Sequence, residues 1–327
     1  MLVELGYAIV KGIVQGLTEF LPISSTAHLV FMDVLDSWFH LQSVQPSRLE
    51  KEFFNVVVQL GTLGAVLFYF RQELLIVWNT SVQMLRSRLI DKKPLDVTSG
   101  PVLDGIPLGP LPLLLAFSVF CTGIFVILIN KGSEPVLQAL GLYQAGKVED
   151  LSDWIFQTPQ WVAVDLMLTG VLLWVSQNAL EKRGQREKIE AFPVVSIWHA
   201  GWIGLSQGIS AIFHGFSRSG TTISAGLFSG LDRTTATRYS FLLSIPTFIL
   251  ATIVEVLKLA KHGQIENFNW LSLIAAMIVA SVVGYYCVKL FVTYVAKHSL
   301  KGFAIYCWVV GGILFICLTL HPIPLSH

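Results

Sequence analysis

Residues 12–28 read G-I-V-Q-G-L-T-E-F-L-P-I-S-S-T-A-H, and this stretch decides the fold. Gln15, Thr18, Glu19, Ser24, Ser25, Thr26 and His28 crowd into an otherwise apolar part of the chain. On a helix Gln15 and Glu19 share one face, one turn apart. Pro22 disfavours helix at Leu21 and leaves Ser-Ser-Thr-x-His as a turn directly after that face. A carboxylate, three hydroxyls and an imidazole thus converge where hydrocarbon is expected. Such groups are costly in a membrane and mark function.

Hydrocarbon is expected because 54% of the 327 residues are hydrophobic and 13% charged, against about 25% charged in a soluble domain. Mean hydropathy is +0.66. This composition calls for an all-α polytopic integral membrane protein. The net charge of +1 and the absence of a basic run exclude a nucleic-acid partner. Cys121, Cys287, Cys307 and Cys317 lie in apolar runs without metal-ligand or disulfide spacing, so packing is their expected role. The amino-terminal M-L-V-E-L-G-Y has an acid where a signal peptide carries basic residues, and is expected to stay in the mature chain.

Six stretches approach the roughly 20 apolar residues that span a bilayer, near 53–70, 109–130, 159–180, 235–258, 268–296 and 302–320. Regions 1–36 and 195–231 are apolar but broken by Pro, Gly, Ser and Thr, and each reads either as two spans or as a re-entrant helical hairpin that enters the membrane and returns. Arg71, Arg86, Arg88, Lys92 and Lys93 place the segment after the first span inside, and E-K-R-G-Q-R-E-K-I-E at 181–190 places that loop inside as well. The loop 131–158, with Lys131 and Lys147, falls outside, and the two hairpins then enter from opposite faces. Residues 71–108 read as an amphipathic stretch on the inner interface followed by a Pro/Gly-rich connector, and 131–158 could hold a short outer helix.

The two broken regions are related. Gly12-Ile13-Val14-Gln15-Gly16-Leu17-Thr18 matches Gly204-Leu205-Ser206-Gln207-Gly208-Ile209-Ser210, and Pro22-Ile23-Ser24-Ser25-Thr26 lies opposite His214-Gly215-Phe216-Ser217-Arg218-Ser219. An inverted-topology repeat follows within a single membrane domain, one half about 1–180 and the other about 195–320, with the two tips meeting near the midplane. The second tip, F-H-G-F-S-R-S-G-T-T, supplies an anion site. Ser217, Ser219, Thr221 and Thr222 offer hydroxyls, Gly220 lets the backbone approach a ligand, and Arg218 presents a fork suited to phosphate oxygens. Gln207 mirrors Gln15 and is at least as well explained by helix packing; Asp165 is expected at an interface, and His199 as a packing histidine.

G-I-V-Q-G-L-T-E-F-L-P-I-S-S-T-A-H-L and G-F-S-R-S-G-T-T resemble the two signature segments of undecaprenyl-diphosphate phosphatases of the bacitracin-resistance type. F-N-V-V-V-Q-L-G-T-L-G-A-V and R-Y-S-F-L-L-S-I-P-T resemble the helices that flank them. The resemblance implies a multi-pass enzyme of the bacterial cytoplasmic membrane that removes one phosphate from a C55 polyprenyl diphosphate lipid. It regenerates the monophosphate carrier for cell wall synthesis at a site open to the outer face. It also implies that Gln15 and Glu19 occupy the family's (E/Q)-x-x-x-E pair, that Ser25 and His28 stand at positions proposed for catalysis, and that Arg218 binds phosphate. The chain departs from the pattern at Ala27, where the family has Gly, and at His214, where it has Pro. Gln15 leaves one carboxylate of the pair to hold a divalent cation, Mg²⁺ or Ca²⁺.

Diphosphate cleavage needs charge neutralisation, an in-line nucleophile and a stabilised leaving group. Arg218 with Ser24, Thr26, Ser217, Ser219, Gly220, Thr221 and Thr222 forms the expected phosphate clamp, and Glu19 the general base or cation ligand. Ser25 leads as nucleophile, with His28 and a directly attacking water as alternatives. A polyprenyl-phosphate flippase is the competing function, since inverted repeats with broken helices also build carriers. Glu19 lies opposite Ala211 and Ser25 opposite Arg218, and this inequality of the halves favours chemistry. A homodimer is compatible with either function.

Overall fold

The computed structural model of the chain describes residues 2–39, 48–89, 101–139, 159–187, 193–262 and 269–320. Among these, eleven α-helices and one short β-hairpin are present. In chain order the helices are α1 (Leu2–Thr18), α2 (Ser25–Phe39), α3 (Arg48–Tyr69), α4 (Arg71–Leu89), α5 (Leu111–Ala139), α6 (Pro159–Glu187), α7 (Ile197–Ile212), α8 (Arg218–Ser229), α9 (Arg233–His262), α10 (Trp270–Lys297) and α11 (Lys301–Leu320). Strands β1 (Val102–Leu103) and β2 (Ile106–Pro107) pair antiparallel between α4 and α5.

Helices α5, α6, α9, α10 and α11 each contain a stretch long and apolar enough to cross a membrane. A sixth candidate joins α3 to α4, bent by 72° between Tyr69 and Arg71. All six expected spans are therefore helices, and the protein is an all-α polytopic membrane protein. Several run past the expected limits. Helix α5 continues through 131–139, α6 to Glu187 and α9 to His262. Of the loop 131–158, expected to hold a short outer helix, residues 131–139 continue α5 and 140–158 lie outside the described residues.

The regions 1–36 and 195–231 each hold two short helices that pack on one another, α1 with α2 and α7 with α8. These helices run 17, 15, 16 and 12 residues. At about 1.5 Å per residue the longest covers roughly 26 Å, less than the about 30 Å hydrocarbon core.

Glycine sets how the helices pair. Helix α1 lies along α10, and α7 along α5. A Cβ on Gly12 would stand 2.6 Å from the Ala276 carbonyl oxygen, and one on Gly16 2.8 Å from that of Ala280. Gly204 and Gly208 are likewise closed off by the Ser118 backbone and the Phe125 ring. The glycines that match between the two sequence segments thus make comparable close contacts, Gly12 and Gly16 of α1 on α10 and Gly204 and Gly208 of α7 on α5. Between lipid-exposed helices such small-residue contacts replace the hydrophobic drive that water would supply.

The hairpin was not anticipated from the sequence. Asp104 and Gly105 take φ of 45° and 75°, the two left-handed positions of a tight two-residue turn. Thr235 Oγ1 donates to the Asp104 carbonyl at 2.8 Å, and Arg238 bridges Glu73 at 2.5 Å and Asp104 at 3.2 Å. The connector is thereby fastened to the start of α9.

Gly12→Ala should destabilise the detergent-solubilised protein by about 1–3 kcal/mol, because backbone rather than a flexible side chain blocks the new methyl. Gly6, with nothing within 4 Å of its Cβ position, should accept Ala without loss. Thermal unfolding of both variants checks the contrast.

Candidate active site

The turn after α1 places Glu19 at the centre of a buried polar cluster. Its amide still bonds the Gln15 carbonyl at 2.9 Å, so Gln15 and Glu19 lie one turn apart. Gln15 Nε2 donates to Glu19 Oε2 at 2.8 Å, and Ser25 Oγ donates to the same oxygen at 2.7 Å. The other oxygen, Oε1, faces Arg218 Nη2 at 3.3 Å. Both ends of this ion pair are buried, with side-chain exposures of 7% and 13%. A buried carboxylate is tolerable only when its lone pairs are met, and Glu19 meets them with two neutral donors and one cation.

Arg218 is fixed from its own side. Nη1 donates to the Ser240 carbonyl at 3.4 Å, and the guanidinium lies 4.6 Å from the centre of the Phe248 ring. Among the described residues Nε is buried without a hydrogen-bond partner, as is Gln15 Oε1, which belongs to the amide that bonds Glu19.

The two tips touch directly. Ser219 Oγ donates to the Leu21 carbonyl at 2.9 Å. Ser217 caps α8 by accepting from the Gly220 amide at 3.1 Å, and its hydroxyl lies 3.1 Å from that of Ser219. Ser24 caps α2, accepting from the Ala27 amide at 3.2 Å, with φ of 63°. His28 Nδ1 lies 2.7 Å from the Ser24 carbonyl and Nε2 lies 2.8 Å from Tyr306 Oη.

Of the residues singled out from the sequence, Gln15, Glu19, Ser25 and Arg218 share one hydrogen-bonded cluster. His28 bonds Ser24 and Tyr306. Ser217 and Ser219 sit at the interface of the tips, and Gly220 at the first turn of α8. The hydroxyls of Thr221 and Thr222 return to the Arg218 carbonyl at 3.0 and 2.8 Å, and Thr222 also meets Ser240 Oγ at 2.6 Å. They brace the helix that carries Arg218. Thr26 starts α2 beside Ser25, half-buried. Gln207 spans α5 and α9, donating to Thr122 and Thr247 at 3.1 Å each, and His199 accepts from the Ser196 amide at 3.0 Å.

Asp165 is 2% exposed, and its Oδ2 accepts from the Gly215 amide at 3.3 Å. Thr169, one turn on, accepts from the Ser217 amide at 3.1 Å. A Cβ on Gly215 would strike the Val162 carbonyl and Asp165 Cβ, so glycine lets the second tip press onto α6. The i, i+4 spacing of Asp165 and Thr169 within an apolar span was the available signal for an inward polar face. Ser240 lies in the segment R-Y-S-F-L-L-S-I-P-T already noted for its resemblance, whereas Tyr306 and Phe248 carried no signal of their own.

Residues 8–313 match the family model described as bacitracin resistance protein BacA. The chain is 33% identical over 310 residues to an undecaprenyl-diphosphatase of Chlorobium chlorochromatii (strain CaD3), covering 93% of each. It is 32% identical over 314 residues to one of Chloroherpeton thalassium (strain ATCC 35110 / GB-78), covering 96% of each. A relative of the same name in Methanobrevibacter smithii (strain ATCC 35061 / DSM 861 / OCM 144 / PS) is 33% identical over 314 residues, 96% of this chain and 98% of its own. Both polar tips and the helices that follow them lie inside the matched region, and the chain belongs to the bacitracin resistance protein BacA family.

Proposed function

We propose that this protein hydrolyses undecaprenyl diphosphate to undecaprenyl phosphate and inorganic phosphate, recycling the lipid carrier of cell wall synthesis and so conferring bacitracin resistance. The observation that carries the proposal is the arrangement around Glu19. A serine hydroxyl donates to one carboxylate oxygen at 2.7 Å while a buried arginine from the opposite hairpin holds the other at 3.3 Å. A base, a nucleophile and a phosphate-binding cation thus stand together in an apolar surround.

Ser25 Oγ attacks the terminal phosphorus, and its proton passes to Glu19 Oε2. The bond from that phosphorus to the bridging oxygen breaks, and its electron pair leaves with undecaprenyl phosphate, which takes the proton from Glu19. Water then attacks the phosphoserine. Glu19 accepts the water's proton and returns it to Ser25 Oγ as inorganic phosphate departs. Arg218 answers the charge on the phosphoryl oxygens in a site of low dielectric, where a fixed cation acts most strongly. Arg218 Nε, buried without a hydrogen-bond partner among the described residues, is a donor left over for the diphosphate.

A divalent cation, Mg²⁺ or Ca²⁺, fits this site. Gln15 Oε1 is a buried acceptor without a partner, next to a carboxylate. Both are hard oxygen donors, the type these ions prefer. Among the described residues no group of three or more His, Cys, Asp or Glu could hold a metal. Gln15 and Glu19 would hold the ion together with the substrate's phosphate groups. When bound, the ion supplies further charge neutralisation of the diphosphate.

The repeat supports an inverted topology in which both hairpins are re-entrant and meet within the membrane. The excess of Arg and Lys near Arg71, Arg86, Lys182 and Arg183 supports an inner location for those segments and an outward-facing site in a cytoplasmic membrane.

Phosphate release from a prenyl diphosphate by the purified protein tests the chemistry. Ser25→Ala, Glu19→Gln and Arg218→Lys should each lower kcat by about 100-fold or more. Near-normal rates in all three would place the chemistry elsewhere. Chelation of divalent cations should abolish release and added Mg²⁺ restore it; full activity in excess chelator would remove the ion from the mechanism.

A further inference from the structure

We infer that Tyr306 is a positioning residue for Ser25, acting through His28 and the Ser24 carbonyl. This rests on Ser25 as the attacking hydroxyl. The residue before it, Ser24, has φ of 63°, although a residue capping a helix N-terminus ordinarily takes extended backbone. Left-handed backbone at a residue with a Cβ is unfavourable and persists only where its surroundings hold it. The Ser24 side chain is occupied by the Ala27 amide at 3.2 Å. What holds the peptide beyond it is its carbonyl, which accepts from the His28 amide at a long 3.4 Å and sits 2.7 Å from His28 Nδ1.

A carbonyl only accepts, so Nδ1 carries the proton in that bond. In the neutral ring Nε2 is then an acceptor. Tyr306 Oη lies 2.8 Å from it and donates. The two rings are within 7° of parallel with centroids 5.7 Å apart, which fixes the imidazole plane as well as its proton. Tyr306 comes from α11, the last helix of the second half, so the turn bearing Ser25 is held from a part of the chain that contributes nothing to the Glu19 cluster. A lone histidine could rotate or exchange its proton to Nε2, losing the Ser24 carbonyl and with it the direction of Ser25 Oγ. The tyrosine prevents both. Neither His28 nor Tyr306 bonds Glu19, Ser25 or Arg218 in the structure, so neither is placed as a group that exchanges protons with substrate.

The test is phosphate release from a prenyl diphosphate by the full-length protein in detergent, comparing Tyr306→Phe in the wild-type and His28→Ala backgrounds. Loss of one positioning hydrogen bond should lower kcat by about 3- to 20-fold with KM unchanged. In His28→Ala the same change should cost nothing further, because the path it acts through is gone. Tyr286→Phe, at an exposed tyrosine on α10, serves as the control for the chemical change and should keep full rate. Full kcat in Tyr306→Phe beside an inactive Ser25→Ala would overturn the positioning role alone. An equal fold-loss in both backgrounds would overturn it too, by removing His28 from the path. Full rate in Ser25→Ala would overturn the nucleophile, and the positioning role with it.

Discussion

A carboxylate buried in an apolar protein must find a cation, and Glu19 finds Arg218 at 3.3 Å. The residues are 199 apart in sequence, and each arrives on a turn that interrupts an apolar helical region. Neither tip could keep its charge alone, because burying one unpaired ion costs several kcal/mol. Their meeting therefore constrains the whole architecture. It requires two broken hairpins and their tips in contact. The scaffold must also be rigid enough to hold a hydrogen-bond network against a hydrocarbon surround.

Small residues build that scaffold. Gly12 and Gly16 bring α1 against α10, while Gly204 and Gly208 bring α7 against α5. Both α1 and α7 are thus anchored on another helix before the turn that follows them begins. At the second tip Gly215 allows the backbone to seat on Asp165, and Thr169 takes the Ser217 amide. Arg218 is therefore presented from a turn whose Gly215 and Ser217 amides are already bonded, and its Nε, without a hydrogen-bond partner among the described residues, remains for a ligand. The first tip is secured differently, by the Ser24 cap and by His28 with Tyr306. One tip is held from beneath, by α6, and the other from the side, by α11.

Much of this was legible in the sequence. Long apolar runs have no soluble alternative, so the six spans stood out, and polar residues inside them were conspicuous for the same reason. The match of Gly12-x-x-Gln15-Gly16 with Gly204-x-x-Gln207-Gly208 pointed to paired hairpins, and the clustering of Gln15, Glu19, Ser25 and Arg218 followed from their tips. What escaped was whatever depends on a neighbour far along the chain. The place of Asp165 early in its span was visible, whereas its partner, a backbone amide at Gly215, was not. Tyr306 is one aromatic among many in α11, and only the geometry shows its hydroxyl at His28. The Asp104-Gly105 turn carried a recognisable dipeptide, but two-residue strands give too short an alternation to read. Thr221 and Thr222 were counted as ligand donors by type, and their bonds back to the Arg218 carbonyl became visible only in the helix itself.

The interaction at the centre is tested most directly through stability, independently of catalysis. Arg218→Met should strand the Glu19 carboxylate and destabilise the protein, since breaking a buried pair from one side costs about 3–5 kcal/mol. Adding Glu19→Gln should then restore much of the loss, because the stranded charge is gone. Thermal unfolding of the two single variants and the double in one detergent measures this. A double variant more stable than Arg218→Met is the result predicted; additive losses would contradict the contact between the two hairpins.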